Sequence, residues 1–272
     1  MSKFKKILLI GGSSYLGQNI IEKLQSHYDI TSLNRHQIND FDLLVEKTKG
    51  IVFDVFINTI VQYEVKNIST LIESNFYLGF KVYDSIEKSK NFKLIQFGSF
   101  YSKFYDEKKI DSYLLSKESL LKYCKLVNSI NNTNVFYLQL EHLIGPGESV
   151  KKFNGWLKHC LEKDLRITLG PCDHYFDFIH VSDIINLIEL LIDTEKFRNE
   201  FKLLEVGSGR STMLKTFVLK LKKKLNSNSE ISFSSKESNN NYKNKSSFSN
   251  IDELIDLGWN PKNDINEIID DI

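Results

Sequence analysis

Three pairs in the sequence place a lysine four residues after a tyrosine, a spacing that puts both side chains on one face of a helix. The pairs are Tyr77 with Lys81, Tyr105 with Lys109, and Tyr113 with Lys117. An ammonium beside a phenol lowers the phenol's pKa from its reference value of ~10, which prepares it to give or take a proton at a carbonyl carbon. About 1.4 such pairs are expected by chance from 12 tyrosines and 32 lysines, so the spacing alone selects none of them.

The surroundings of each pair favour Tyr113. A site that reduces a carbonyl needs a second hydrogen-bond donor, and Ser99 lies at the end of the apolar, strand-length run 92–97. Ligands bind at such strand ends in parallel sheets. Tyr77 precedes that run and Tyr105 lies in a polar stretch, whereas Tyr113 begins the next helical pattern. The predicted catalytic residues are therefore Ser99, Tyr113 and Lys117.

A glycine-rich loop, Gly11-Gly12-Ser13-Ser14-Tyr15-Leu16-Gly17, comes directly after the first apolar run and opens a helical pattern. Glycines allow the backbone to turn sharply and to approach a pyrophosphate, which the N–H groups at a helix start stabilise. The serine at position 14 offers its N–H and its hydroxyl to phosphate in place of a glycine. The predicted cofactor contacts in this loop are Gly11, Ser13, Ser14, Tyr15, Leu16 and Gly17.

Asn34 and Arg35 follow the second predicted strand, 29–33. NAD sites usually place Asp or Glu near this point to accept the ribose 2′-hydroxyl, and neither is present. A guanidinium would instead pair with a 2′-phosphate. We therefore predict that the cofactor is NADP, with Asn34 and Arg35 among its contacts.

Strand-length apolar runs alternate with helical patterns through the first half of the chain, which predicts an α/β fold with a doubly wound parallel sheet. The predicted strands span 6–10, 29–33, 54–57, 92–97 and 134–140, and the predicted helices include 16–24, 71–87 and 112–127. The alternation of strand and helix patterns ends at the turn Gly145-Pro146-Gly147. We predict a dinucleotide-binding domain over 1–144, to which 177–206 return, and a smaller substrate-binding lobe formed by 145–176 and 207–272. Residues 226–250 predict a polar surface segment, with 230–233 as a possible edge strand.

Composition narrows the function classes. The 36 basic and 35 acidic residues nearly cancel, which argues against nucleic acid and anionic membranes as partners. With 41% hydrophobic residues, the chain can bury a core and is not disordered as a class. Three cysteines match no zinc or disulfide pattern, and no run approaches the ~20 apolar residues of a membrane helix. We expect a cytoplasmic protein without a metal site.

Together these motifs resemble the extended short-chain dehydrogenase/reductase family, also called the NAD-dependent epimerase/dehydratase family, over nearly the whole chain. Further segments that carry the resemblance are 54–59, 145–147, 177–183, 206–209 and 257–261. The resemblance implies a Rossmann fold and adds Thr59 and Lys117 to the cofactor contacts. The run 140–147, with Lys152-Phe153 shortly after, resembles the family members that reduce the 4-keto group of CDP-linked dideoxyhexoses with NADPH.

The resemblance also implies substrate contacts at Ser99, Tyr113, His142, Lys152 and Phe153. Many relatives have Asn where this chain has His142, and Arg where it has Gln139 and Phe176. In the family, the residues at the positions of His142 and Phe176 tend to contact the diphosphate of the sugar nucleotide. The contacts that bind the nucleotide must therefore differ in this chain. Phe100 and Tyr101 replace the acidic pair of the dehydratases after Ser99, which argues against dehydration.

The sequence thus predicts an NADPH-dependent 4-ketoreductase of a nucleotide-linked deoxyhexose, CDP-linked by preference, for surface polysaccharide such as the lipopolysaccharide O-antigen. One alternative is a nucleotide-sugar 4-epimerase with tightly bound NAD. Another is a non-catalytic NADP-binding protein. The resemblance further implies a homodimer formed through helices near 71–87 and 112–127.

Overall fold

A computed structural model describes residues 4–63, 67–106, 111–235 and 245–272, and the chain divides into two compact units. The first unit comprises Met1–Gln139 and Leu187–Leu204, and the second comprises Leu140–Asn186 and Glu205–Ile272. These units differ from the predicted domains at their edges, because residues 140–144, 177–186 and 205–206 belong to the second unit.

The strands are β1 Lys6–Ile10, β2 Asp29–Leu33, β3 Val52–Asn58, β4 Glu87–Ser99, β5 Asn134–Leu140, β6 His142–Ile144, β7 Ile167–Leu169, β8 Tyr175–His180, β9 Phe201–Val206, β10 Ser211–Met213 and β11 Ile231–Phe233. The helices are α1 Tyr15–Leu24, α2 Arg35–Asn39, α3 Phe41–Thr48, α4 Ile68–Ile72, α5 Leu78–Ser85, α6 Ser112–Asn131, α7 Phe153–Glu162, α8 Val181–Asp193, α9 Leu214–Lys224, α10 Asp252–Asp256 and α11 Ile265–Asp271. A π-helical turn, Glu73–Tyr77, joins α4 to α5, and a 3₁₀ turn, Phe100–Phe104, follows β4.

The central sheet is parallel and has the strand order β2-β1-β3-β4-β5-β9, which confirms the predicted doubly wound α/β class. Residues 7–10 of β1 are fully buried, as a continuous apolar run in the middle of a parallel sheet requires. The strand order runs outward from β1 in both directions, so the loops after β1 and β3 diverge at this switch point. The sheet ends at β2 because residues 35–48 form α2 and α3 and add no strand beyond it.

The helix predicted over 71–87 is interrupted and ends early. α4 starts at Ile68, the π-helical turn follows it, and α5 stops at Ser85 before β4 begins. Within the turn, Ser74 and Asn75 are both 1% exposed. A π-helical turn inserts one extra residue per turn, and such insertions are frequent at functional sites.

The second unit has a three-stranded sheet with the order β10-β8-β6 and a parallel pair, β7 with β11. The edge strand considered for 230–233 is confirmed as β11, and residues 236–244 of the predicted polar segment lie outside the described residues. Buried Asp177 of β8 accepts hydrogen bonds from the backbone of Ser208, Gly209 and Ser249. This carboxylate therefore ties the loop after β9 and the segment after residue 245 to one strand.

All three cysteines are buried free thiols. Among the described residues, no helix has the length and apolar content needed to cross a membrane, and no cluster of His, Cys, Asp or Glu suits a metal ion.

A buried lysine of the first unit supports the end of α8. Lys93 of β4 is 4% exposed, and its ammonium donates to the carbonyls of Leu191 (3.2 Å), Ile192 (2.7 Å) and Thr194. Burial lowers the pKa of Lys93 to about 8, so the side chain is charged at neutral pH. Carbonyls at the end of a helix lack partners within it, and this cation supplies them for α8.

Replacing Lys93 with methionine should lower the free energy of unfolding by about 2–3 kcal/mol, because buried carbonyls lose their donor. Urea denaturation measures the effect. Lys90→Met, at an exposed position of the same strand, is the matched control and should change stability little. Equal stability of the two variants would contradict this role for Lys93.

Candidate active site

The three predicted catalytic residues come together at one end of the central sheet. Ser99 is the last residue of β4, and its hydroxyl is hydrogen-bonded to the phenol of Tyr113, in the first turn of α6. Lys117 lies one helical turn later, with its Nζ 6.0 Å from the centroid of the Tyr113 ring. Ser99 and Lys117 are 7% and 3% exposed, and Tyr113 is partly exposed.

Burial dominates the electrostatics of this cluster. It raises the pKa of Tyr113 well above its usual value, to which the neighbouring Tyr63 also contributes, while the hydrogen bond from Ser99 acts in the opposite direction. Lys117, which the spacing predicts to acidify this phenol, is not among the groups that shift its pKa. The ammonium of Lys117 instead donates to the carbonyl of Phe97 at 2.9 Å. The phenol is therefore protonated at neutral pH, as a donor to a carbonyl oxygen must be, although the raised pKa makes it a weaker acid.

The pKa of Lys117 is also shifted by its surroundings. Burial lowers its pKa to about 8. The ammonium form therefore predominates at neutral pH and is lost as the pH rises through that value.

Two structural devices hold the cluster in place. Asp111 caps α6 by accepting hydrogen bonds from the N–H groups of Tyr113 (2.9 Å) and Leu114 (3.0 Å). Tyr137 of β5 is fully buried, and its hydroxyl donates to the carbonyl of Lys117 at 3.0 Å. The Tyr137 ring occupies the space beside Gly98, where a Cβ would lie 2.7 Å from its Cζ. Tyr137 thus links the strand end that carries Ser99 to the helix that carries Lys117, a role that the sequence pattern does not reveal.

The other two tyrosine–lysine pairs lack these surroundings. Tyr77 is 57% exposed in the π-helical turn, and Lys81 donates to the carbonyl of Ile38 (2.8 Å) in α2. Tyr105 directly follows the 3₁₀ turn, and Lys109 lies outside the described residues. Only the Tyr113 pair is accompanied by a strand-end serine among the residues that the structure describes.

The glycine loop between β1 and α1 is closed by backbone packing. Gly11 has a φ of +83°, a conformation that favours glycine, and a Cβ on Gly17 would lie 2.8 Å from the Cα of Gly12. The glycines therefore let the loop pack closely against its own backbone and against the chain after β3, and bring backbone N–H groups to the start of α1. This arrangement fits the pyrophosphate of a dinucleotide.

Ser14 supports the loop from within. Its N–H donates to the carbonyl of Gly11 (2.8 Å), and its hydroxyl accepts from the N–H of Gly17 and donates to Thr59 (both 3.0 Å). Both groups of Ser14 that were expected to meet phosphate are thus used inside the protein. Of the remaining predicted contacts, Ser13 is exposed at the loop tip, and Tyr15 and Leu16 form the first turn of α1.

The two residues predicted to select NADP over NAD, Asn34 and Arg35, follow the end of β2. Asn34 caps α2, accepting from the N–H of Gln37 at 3.0 Å. Arg35 is exposed and donates to the hydroxyl of Ser74 in the π-helical turn at 3.1 Å. Residues 30–39 contain no carboxylate. A guanidinium has five N–H donors, and the contact with Ser74 uses one of them.

The predicted substrate contacts His142, Lys152 and Phe153 all belong to the second unit. The ring of His142 stacks on that of Phe176 with 3.7 Å between centroids, so two departures from the family pattern are neighbours. Burial lowers the pKa of His142 to about 3, and the imidazole is neutral at physiological pH. His142 therefore offers a diphosphate no positive charge.

Lys152 precedes α7, and the half-exposed Phe153 begins it. Burial lowers the pKa of Lys152 to about 8, and the nearby Glu148 acts in the opposite direction. Burial also raises the pKa of Glu148 to about 7, although hydrogen bonding to Asn154 and the charge of Lys152 favour its ionised form. Glu148 was not singled out from the sequence, since a lone glutamate in a turn gives no signal.

Comparison with known proteins identifies the family. Residues 7–207 match the model of the NAD dependent epimerase/dehydratase family. The chain belongs to that family. Among members with assigned names, it is similar to two CDP-abequose synthases. The one from Salmonella typhimurium strain LT2 is 21% identical, covering 98% of this chain and 96% of the relative, and the one from Salmonella muenchen is 25% identical, covering 94% and 92%.

Solved structures of this epimerase/dehydratase type share the fold. RMD from Pseudomonas aeruginosa, complexed with NADPH, superimposes with a TM-score of 0.81 at 15% identity and covers 98% of both chains. UDP-glucose 4-epimerase from Thermotoga maritima, with UDP-glucose, gives a TM-score of 0.83 at 17% identity, covering 97% of this chain and 96% of that one. At such identities the similarity establishes the fold alone.

Proposed function

We propose that this protein is an NADPH-dependent reductase of the 4-keto group of a nucleotide-linked deoxyhexose, with a CDP-linked dideoxyhexose favoured. The observation that carries the proposal is the buried Ser99–Tyr113 hydrogen bond beside Lys117, in a chain of the NAD dependent epimerase/dehydratase family. The near full-length similarity to two CDP-abequose synthases supports the choice of substrate class. The product would serve surface polysaccharide, such as an O-antigen.

The chain's own residues would handle the carbonyl oxygen. Ser99 and Tyr113 would both donate hydrogen bonds to it, and Tyr113 would transfer its proton as negative charge develops there. Lys117 would stabilise the resulting tyrosinate, which regains a proton from solvent. When bound, NADPH would supply the hydride that the carbonyl carbon receives, so the ketone becomes an alcohol.

The residues present fit that cofactor. The glycine loop offers a backbone cradle at the start of α1, and Arg35 stands at the end of β2 with donors for a 2′-phosphate. Asn34, Thr59 and Ser14 would support these contacts by holding the loops that carry them.

A nucleotide-sugar 4-epimerase with tightly bound NAD is the second candidate, favoured by the fold similarity to UDP-glucose 4-epimerase. The lack of a carboxylate in residues 30–39 and the presence of Arg35 weigh against it, since both favour NADP over NAD. A non-catalytic NADP-binding protein would have no chemical need for the buried Ser99, Tyr113 and Lys117.

We also propose a cytoplasmic homodimer. Buried free cysteines suit a reducing compartment. Exposed apolar side chains on α4 to α6 support association through these helices. They are Ile68, Ile72, Tyr77, Leu115, Leu126 and Ile130.

Replacing Tyr113 with phenylalanine should lower turnover by about 10²–10⁴-fold, because it removes only the proton donor. The NADPH affinity should stay within about twofold of the wild-type value. The assay follows NADPH absorbance against CDP-, dTDP-, GDP- and UDP-linked 4-keto deoxysugars. Tyr77→Phe, in a pair with the same spacing, is the matched control and should turn over normally. Equal turnover by the two variants would overturn the assignment of Tyr113.

Turnover in the reducing direction should be constant below about pH 7.5 and fall about tenfold per pH unit well above pH 8. The cause is the loss of the Lys117 ammonium, whose pKa is about 8, while Tyr113 stays protonated because its pKa is raised. Lys117→Met should be slower at every pH and lack this alkaline decrease. If turnover of Lys117→Met still fell at alkaline pH as in the wild type, the decrease would be caused by a group other than Lys117.

Arg35→Gln should raise the Kd for NADPH about 10–100-fold, the effect of one lost charge-assisted contact, and leave the Kd for NADH unchanged. Fluorescence titration of the reduced cofactor measures both constants. The control is Arg198→Gln, at an arginine that pairs with Glu195 on the surface. Equal weakening of NADPH and NADH would show that Arg35 does not read the 2′-phosphate.

A further inference from the structure

An aromatic ring covers part of the catalytic phenol. Tyr63, in the loop after β3, stacks on Tyr113 with 5.6 Å between ring centroids and an interplanar angle of 25°. Tyr63 nevertheless remains 54% exposed. About half of the Tyr63 surface is therefore open to a ligand next to the Tyr113 ring.

Hydrogen bonds fix the chain at this point to the helix that carries Tyr113. Asn75 holds Gln62, the residue before Tyr63, by accepting from its N–H (2.6 Å) and donating to its carbonyl (3.0 Å). The amide of Asn75 also donates to Ser116 (3.1 Å), whose hydroxyl donates to the carbonyl of Tyr113 (2.7 Å).

Tyr63 and Tyr113 are thus connected twice, by the contact between their rings and by the hydrogen bonds through Asn75 and Ser116. Asn75 and Ser116 are 1% and 3% exposed, so their hydrogen bonds are protected from competing water. The π-helical turn is the feature that buries Asn75 at the required place. The position of Tyr63 over the phenol is thus built into the fold.

The surroundings of the phenol are aromatic on another side as well. Tyr101 lies near enough to Tyr113 to influence it electrostatically, and its ring centroid is 3.9 Å from that of Phe100. Both residues follow Ser99 directly, so they are carried by the strand end that holds the second donor. Ring faces such as these offer apolar contact and no strong hydrogen-bond partner.

We propose that Tyr63 is a specificity-determining residue whose exposed ring packs against a deoxygenated part of the substrate's sugar, next to the carbonyl carbon. This inference rests on the proposed function. A sugar hydroxyl pressed against the ring would lose its hydrogen bonds to water and gain none, whereas a CH₂ group would gain apolar contact. The site would therefore prefer the sugar that lacks the hydroxyl.

The test compares two CDP-linked 4-keto sugars, a dideoxyhexose and a monodeoxyhexose that differ by the one hydroxyl beside the ketone. Wild type should favour the dideoxy substrate in kcat/KM by about 10–100-fold, in the range for a hydroxyl in an apolar pocket. Tyr63→Ala should reduce this preference about tenfold, mainly through KM for the dideoxy substrate. Tyr63→Phe, which keeps the ring, should retain it.

Phe4→Ala is the matched control, since Phe4 is an aromatic residue of similar exposure (62%) that precedes β1 and lies outside the cluster. It should leave the preference unchanged. An equal loss on both substrates in Tyr63→Ala would overturn the inference, and so would a gain, because the ring would then act as a cover that must move away.

A binding measurement separates this inference from the proposed function. Calorimetry with two non-reacting ligands, a CDP-linked dideoxyhexose and a CDP-linked monodeoxyhexose, needs no turnover. If no ketosugar is reduced but wild type prefers the dideoxy ligand and Tyr63→Ala does not, the reductase proposal fails and the role of Tyr63 stands. If reduction occurs but no such preference exists, only the role of Tyr63 fails.

Discussion

The contact between the Tyr113 phenol and the end of β4 is the constraint around which the first unit is organised. A buried phenol needs a hydrogen-bond partner, and Ser99 provides one from the end of β4. For that contact to form, α6 has to start at a fixed distance from the strand, and the Asp111 cap and the Tyr137 hydroxyl secure its position. The same burial keeps the phenol protonated, so the packing that locates the group also sets its chemical state.

Much of this arrangement could be predicted because it depends on local patterns. β1 and β5 were predicted to the residue because they are buried and largely apolar, and β2 was predicted to the residue although only its last residue, Leu33, is buried. The spacing of Tyr113 and Lys117 and the strand end at Ser99 placed three side chains at one edge of the sheet. Parallel topology then brings them together without any knowledge of distances.

The features that could not be predicted from the sequence share a cause. They depend on burial and long-range contacts, which the spacing of residues along the chain does not show. Lys117 follows Tyr113 by four positions, but only the packed structure shows that burial raises the pKa of the phenol and that the ammonium donates to the carbonyl of Phe97. The π-helical turn is invisible to a periodicity of 3.6, although it directs Asn75 towards Gln62 and Ser116. In the second unit, the imidazole of His142 could serve as a phosphate contact, yet burial lowers its pKa and leaves it uncharged beside Phe176.

The contact between Gly98 and Tyr137 has a consequence for how the chain tolerates change. The ring fills the volume that a side chain at position 98 would need, so the two positions share one space between β4 and β5. A larger residue at 98 is compatible with this packing only if a smaller one stands at 137, and that exchange would also remove the hydroxyl that anchors α6. Divergence at either position is therefore limited by the other, because a larger residue at 98 alone would clash with the ring and a smaller one at 137 alone would release α6 from its anchor.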